Sequence, residues 1–310
     1  MGTLRRFLNL LPRRLRRQKL LVALYRTKVI QPIQWLEFNR GGRAWVDLRD
    51  AESRATYLSQ SFWPEFHPMV AAFLCDGGDF FDVGANFGLV TFGVLPLVCG
   101  KRVGFHMFEA NPNIIPLLAR TARLWPNERI TVNHCCVSDR AGVSRLSLPD
   151  SCWGHAFIGE GGAAVPNLVL DEYISEKGIE HISFLKMDIE GWELHALQGA
   201  KSSLSSGKVR AGFIEVAPDA LRRSGANAEE LLGFLHEMGF DSYFCSMWET
   251  PDPHGLRWVR LSVNGTSLRF ASATPLPSTY VSGDVLVVHR SNPLSRTIQQ
   301  ALAPSSLFED

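Results

Sequence analysis

The chain has 310 residues, 45% of them hydrophobic, which supports one large or two modest domains with a buried core and excludes a disordered or low-complexity protein. Its formal charge of +1 conceals an asymmetry: residues 1–28 hold nine Lys or Arg and no acid, leaving 23 basic against 31 acidic residues elsewhere, a net near −8. An acidic body excludes a broad nucleic-acid surface, because duplex binding requires many phosphate-neutralising cations.

In chain order, Leu4, Phe7, Leu8, Leu11, Leu15, Leu20, Leu21 and Leu24 fall roughly on one helical face with arginines between them, interrupted by Pro12. A basic amphipathic arm over 1–28 has two readings, an interfacial helix on anionic lipid or a leader helix packed on the domain. No window reaches the ~18 apolar residues of a membrane span, and no signal-peptide core with a cleavage site is evident. The cytoplasm is the expected compartment, with peripheral membrane contact through 1–28. Residues 29–79 read as a cap region, with helical signal around Pro64 to Leu74.

From residue 80 short apolar runs alternate with helical patterns, the signature of a parallel sheet with crossover helices. Strands are expected near 80–84, 103–108, 130–137, 183–188 and 211–216, with Ser242–Ser246 and Asp284–His289 as a closing antiparallel pair. The expected fold is α/β, a seven-stranded, mostly parallel sheet with helices on both faces and one antiparallel strand, over 80–290. Residues 291–310 read as a tail, and 159–164 and 250–277 as loops or insertions. The six cysteines (Cys75, Cys99, Cys135, Cys136, Cys152, Cys245) contain no C-x-x-C pair and read as reduced thiols, mostly in the core. No His, Cys or carboxylate spacing picks out a metal site.

Phe80 and Phe81 lead into Asp82-Val-Gly84-Ala85-Asn86-Phe87-Gly88 and then the apolar run Leu89–Leu95, a strand, glycine turn and helix. Such a turn lets backbone approach a ligand closely, with Asn86 suited to cap the helix and the helix amides suited to a carboxylate. The next strand ends at Glu109-Ala110, twenty-one residues past Gly88, where a carboxylate can accept hydrogen bonds from ribose hydroxyls. A dinucleotide fingerprint would carry a glycine where Asp82 stands, which favours S-adenosylmethionine over NAD. The candidate cofactor residues are Asp82, Gly84, Ala85, Asn86, Phe87, Gly88, Glu109 and Ala110. A nicotinamide-dependent oxidoreductase and a non-catalytic nucleotide-binding scaffold remain the alternatives.

Together with Phe108-Glu-Ala-Asn-Pro, Leu170-Asp171, Leu185-Lys-Met-Asp-Ile-Glu-Gly-Trp-Glu193, Leu197-Gln-Gly-Ala200 and Phe213-Ile-Glu215, these residues resemble the FkbM-type methyltransferase family over about residues 65–246. The resemblance implies a class I methyltransferase fold and O-methylation, commonly of sugar or polyketide hydroxyls, so the expected partner is a small-molecule or glycan acceptor. Two departures stand out: Pro96 inside the helix after the turn, expected to shorten or kink it, and the segment from Pro149 to Pro166, a candidate for acceptor specificity.

Asp188 falls at the end of an apolar strand, on the edge where open α/β sheets bind ligands, and Asp188 and Glu190 are the candidate catalytic residues. Glu193 reads as a first-turn acid favouring the helix dipole. Lys186 reads as one half of a buried ion pair, with Glu215 as an expected partner. His134, His155 and His195 read as packed or solvated side chains before catalysts.

Overall fold

The computed structural model describes residues 17–159, 161–247, 255–277, 280 and 282–303. Residues 1–16 of the basic arm, and with them its first leucines, lie outside this set. The described part of the arm is a helix, Arg17–Arg26, whose Leu21 is fully buried and whose Leu20 and Leu24 pack against the same core. Its apolar side is therefore spent on the domain itself. Among the described residues no helix is long and apolar enough to cross a membrane.

The cap region opens with a hairpin, β1 (Ile33–Phe38) and β2 (Gly42–Asp47), followed by helices Ala51–Ser59 and Phe66–Phe73. Asp50 starts the first helix by accepting the Ser53 amide. The second lies within the expected helical stretch.

Then come β3 (Gly78–Val83), β4 (Val103–Glu109), β5 (Arg129–His134), β6 (Cys136–Val137), β7 (Gly142–Ser147), β8 (Phe157–Ile158), β9 (Ala163–Leu168), β10 (Ile182–Met187), β11 (Ala211–Val216), β12 (Phe240–Ser246), β13 (Val259–Val263), β14 (Thr266–Ser272) and β15 (Gly283–His289). The main sheet runs β13-β14-β12-β15-β11-β10-β3-β4-β5. From β5 to β11 every pairing is parallel, and β15 enters antiparallel between β11 and β12. β12 is thereby restored to the common direction, so one antiparallel strand sits in a seven-stranded core: the class I methyltransferase fold. β10 is buried along its whole length, as a central parallel strand covered on both faces must be. The two faces carry separate cores, one shared with the cap around Phe80, Phe105 and Phe184, the other around Phe81, Leu185 and Leu197.

Four expectations change. The main sheet has nine strands, because residues 259–272, read as loop, form the hairpin β13–β14 around Asn264-Gly265, both with positive φ. Asn-Gly is the sequence pair that such a two-residue turn demands. The strand expected over 130–137 breaks at Cys135, and β6 joins a second, four-stranded sheet, β6-β9-β7-β8, whose β9 begins inside the expected loop. The tail forms a helix, Pro293–Leu302, capped by Asn292. The six thiols are free, but only Cys135 and Cys136 are buried.

Candidate active site

The turn after β3 lies against the end of β10. Gly84 has φ of +76°, and a Cβ there would stand 1.9 Å from the Asp188 carbonyl oxygen, so only glycine lets the two strand ends meet. The Gly84 and Ala85 amides both donate to the Phe108 carbonyl at 3.0 Å. The helix that follows is short, Leu89–Val94, and passes into a 3-10 turn containing Pro96, as its missing amide requires. Gly88, not Asn86, occupies the cap position. Asn86 is itself in a left-handed conformation (φ +49°), its Nδ2 reaches Glu52 at 3.3 Å, and its buried Oδ1 has no partner.

Glu109 ends β4 inside the same cleft. One carboxylate oxygen accepts the Asn86 amide and the other the Asn111 amide, each at 2.7 Å. Burial raises its carboxyl above the ordinary range while those amides pull it down. Each oxygen keeps a further lone pair for a ligand.

Asp82 does not reach the cleft. It is fully buried behind the turn, accepts from Thr91 Oγ1 at 2.7 Å and lies 3.6 Å from Lys186 Nζ. The Lys186 ammonium donates to the Gly84 carbonyl at 2.7 Å and stands 3.4 Å from Asp188 Oδ2. Its partners are thus Asp82, Asp188 and the turn, not Glu215. Burial opposes its charge, yet Asp188 and Asp82 outweigh it and hold the ammonium above lysine's usual range. Burial also raises the Asp82 carboxyl in spite of Lys186. Lys186 Nζ has four acceptors within reach, the Val83 and Gly84 carbonyls, Asp82 and Asp188, which together hold its charge.

Asp188 and Glu190 both line the cleft, Asp188 with its side chain 31% exposed. Glu190 holds a left-handed conformation (φ +57°) in the loop after β10. Glu193 fixes that loop: its Oε1 accepts the Ile189 amide at 2.9 Å and the Gly191 amide at 3.2 Å. It is fully buried, and burial pushes its carboxyl up to about 7 against those amides. Its work is to clamp a loop, beyond any effect on the helix dipole. Asp171 is likewise architectural, accepting the Ser202 and Ser203 amides. His195 stacks on Trp192, with Nε2 3.2 Å from the Ser224 carbonyl.

Several cleft residues escape sequence reasoning. The segment 149–158 forms a lid over the turn: Trp153 stacks on Phe87, its amide donates to Asp50, and its carbonyl accepts from Asn111. Gly154 packs on Asn86, leaving no room for a Cβ. The lid brings His155 Nδ1 to 3.7 Å from Glu190. From the cap come Glu52, Phe62 and Trp63, and from β11 comes Glu215. Burial, then Asp188, Glu193, Glu190 and Asp284, push the Glu215 carboxyl up to about 9. Burial and then Asp188 push Asp284 up to about 6, although Lys186 opposes. Glu52 and Glu190 are raised mainly by burial. Of these, Trp153-Gly154-His155, an aromatic and a histidine in an unmatched loop, and Glu215, in the Phe213-Ile-Glu element, carry a sequence signal; Glu52, Phe62 and Trp63 carry none. Among the described residues no group of three or more His, Cys, Asp or Glu side chains is arranged to hold a metal.

The family described as the methyltransferase FkbM domain matches residues 82–242. Hexuronic acid methyltransferase AglP of Haloferax volcanii is 25% identical over 126 residues, 40% of this chain and 51% of that protein, so the match spans about half of the relative. Among solved structures, methyltransferase FkbM from Methylobacillus flagellatus aligns at 20% identity over 63% of this chain and 44% of its own, with a TM-score of 0.38. A SAM-dependent O-methyltransferase from Thermotoga maritima aligns at 12% identity over 86% of this chain and 81% of its own, also with a TM-score of 0.38.

Proposed function

Because the chain belongs to the FkbM methyltransferase family, with S-adenosylmethionine as its cofactor, we propose that it methylates a hydroxyl group of a sugar-containing acceptor. The observation that carries this reading is the juxtaposition, in one cleft, of the Glu109 carboxylate and the Gly84–Phe87 turn with Asp188 and Glu190, while Gly88 lies behind the turn against Phe92, Met107 and Leu118. The residues present fit the cofactor. Glu109 offers free lone pairs to hydroxyl donors, and the orphaned Asn86 Oδ1 is a buried acceptor at the cleft wall. Ala85, Phe87 and Ala110, with Cys135 to Val137, supply apolar surface beside them.

In this reading Gly84, Ala85, Asn86, Phe87, Glu109 and Ala110 hold the cofactor, Gly88 backs the turn, and Asp82 holds the turn through Thr91 and Lys186. Bound there, S-adenosylmethionine supplies an activated methyl group on a sulfonium. The chain's part is then to orient the acceptor oxygen, exclude water and take its proton. Holding two reactants in line contributes ~7 kcal/mol or more in favourable systems. Asp188 or Glu190 receives the hydroxyl proton, a contribution of ~10² to 10⁴-fold. Lys186 and Glu193 act through position: the first ties Asp188 to the turn, the second fixes the backbone that presents Glu190.

The similarity to a hexuronic acid methyltransferase supports a sugar acceptor, although it covers about half of that protein. The test is two-part. Calorimetric titration should show saturable heat with S-adenosylmethionine and none with NAD; the reverse result would sink the reading. Labelled methyl donor incubated with glycan and glycolipid fractions should then transfer label as an alkali-stable methyl ether. Label appearing only on nitrogen, sulfur or carboxylate would refute the hydroxyl acceptor.

A further inference from the structure

The cap loop between helices Ala51–Ser59 and Phe66–Phe73 carries an unusual concentration of constrained backbone. Gln60 (φ +56°) and Trp63 (φ +38°) both lie in the left-handed region, as does Asn39 (φ +47°) in the hairpin turn beneath them. A bulky residue there is a conformational outlier, and such outliers persist only where surrounding structure over-determines them. Asn39 does so here. Its Nδ2 donates to the Phe62 carbonyl, its Oδ1 accepts the Phe62 amide at 3.1 Å, and its own amide donates to the Gln60 carbonyl at 3.0 Å. Asn39 Nδ2 also lies 2.8 Å from Nδ1 of the buried His67.

The constrained loop presents aromatic surface to the cleft. Trp63 lies parallel to Phe62 (centroids 5.3 Å apart, 5° between planes), with Phe66 against it edge-on, and still keeps 36% of its surface exposed. Phe62 and Trp63 both line the same cleft as Asp188 and Glu190. They precede residues 82–242, the stretch that matches the family.

The charge around the platform is one-sided. Glu52, Asp188, Glu190 and Glu215 line that side, against a buried Lys186 already engaged by Asp82 and Asp188. Among the described residues, His155 faces Glu190, Arg223 reaches the Glu190 carbonyl at 3.5 Å, and Arg49, paired with Asp47, lies over the Trp153 ring. A carboxylate on the acceptor would face Glu52, Asp188 and Glu190 without an unengaged buried cation among the described residues, while Glu215, pushed up to about 9, adds a protonated carboxyl. Hydroxyl or amine donors would find acceptors in the same carboxylates, while a ring face would find Trp63.

We propose that Phe62–Trp63 is the stacking platform for the acceptor, and that the acceptor is a pyranoside without a carboxylate, neutral or amino-bearing, and not a uronate. This rests on the sugar-hydroxyl reading above. The platform sets affinity by fixing the ring, and the carboxylates set the charge the ring can carry.

The experiment compares methyl glucoside, methyl glucosaminide and methyl glucuronide. Binding is read by calorimetry and tryptophan fluorescence on full-length protein saturated with S-adenosylhomocysteine, and turnover is read with labelled methyl donor. The glucuronide should bind at least about tenfold more weakly than the other two. Trp63→Ala should weaken glucoside binding about 5- to 10-fold with cofactor affinity unchanged, and Trp63→Tyr should restore it. Glu190→Gln should narrow the discrimination against glucuronide without improving glucoside binding, which gives a readout should Trp63→Ala fold poorly. A glucuronide that binds best, or a folded Trp63→Ala with unaltered sugar affinity, overturns the proposal while leaving hydroxyl methylation intact. If the protein binds cofactor but binds and methylates none of the three sugars, the sugar reading fails and this inference with it.

Discussion

The two walls of the cleft are built on opposite principles. In the wall formed by the β3 turn and the end of β4, the backbone groups are spoken for: Gly84 and Ala85 amides by the Phe108 carbonyl, Asn86 and Asn111 amides by Glu109, the Gly84 carbonyl by Lys186. Elsewhere in the cleft carboxylates outnumber their donors, which are Lys186 for Asp188, the Asn86 side chain for Glu52 and His155 beside Glu190. Glu215 has a buried oxygen with no partner, and Glu52, Glu190, Glu215 and the neighbouring Asp284 are all raised above the ordinary carboxylate range. Satisfied backbone makes a rigid receptor for one fixed ligand. Underpaired carboxylates held in low dielectric cost stability and suit a site awaiting donors from a partner molecule.

The sharpest way to break this contrast is to remove the cation that joins the walls. Lys186→Met strands the fully buried Asp82 and frees Asp188 from the turn, and should cost about 3–5 kcal/mol by urea denaturation. Adding Asp82→Asn should recover part of that loss, since it removes the uncompensated charge. If Lys186→Met is as stable as the native chain, the clamp between the walls is not structural.

Glu109→Ala tests the satisfied wall. It leaves the Asn86 and Asn111 amides without their acceptor and should weaken S-adenosylmethionine binding by roughly 1.5 to 3 kcal/mol, about 10- to 150-fold, in calorimetric titration. Unaltered affinity in a folded variant would move the cofactor contact elsewhere.

The crowded wall predicts a pH dependence of stability. Glu193, pushed to about 7, and Glu215, pushed to about 9, bind protons more tightly in the folded chain than in the unfolded one. The folded state is then favoured at low pH, and this contribution is lost as pH rises from about 4.5 through 9. Urea midpoints at pH 5.5 and 8.5 should fall with pH, and Glu193→Gln should flatten the first part of that decline. A midpoint that rises over the interval would show that these carboxylates are not held protonated.

The smallest expected effect lies in the lid. Trp153→Ala removes the ring stacked on Phe87 and should weaken cofactor binding by about 0.5–1.5 kcal/mol, with the fold retained. Equal affinity of this variant and the native chain would make the lid part of the acceptor wall alone.

Much of this molecule was legible before any coordinates. Alternating apolar runs gave the parallel strands because buried central strands need continuous hydrophobic sequence, and the resemblance through Lys186 to Glu193 supplied the family. A local signal is also present in Asn264-Gly265, which between alternating apolar residues marks the hairpin that extends the sheet to nine strands.

What the linear sequence determined by itself is the scaffold and the glycine turn with its acid at the end of β4, since a strand, a glycine turn and an acid about twenty residues on are local patterns. The rest of the cleft was assembled by tertiary structure. Glu52, Trp63 and His155 come from separate stretches of chain and share no spacing with Asp188, Glu190 and Glu215, which the sequence singles out, and their meeting depends on how the cap loop, the lid and two strand ends pack. The same holds for Lys186, which was expected beside Glu215. A buried ammonium takes whichever acceptors are nearest in the packed interior, and here these are the Gly84 carbonyl, Asp82 and Asp188.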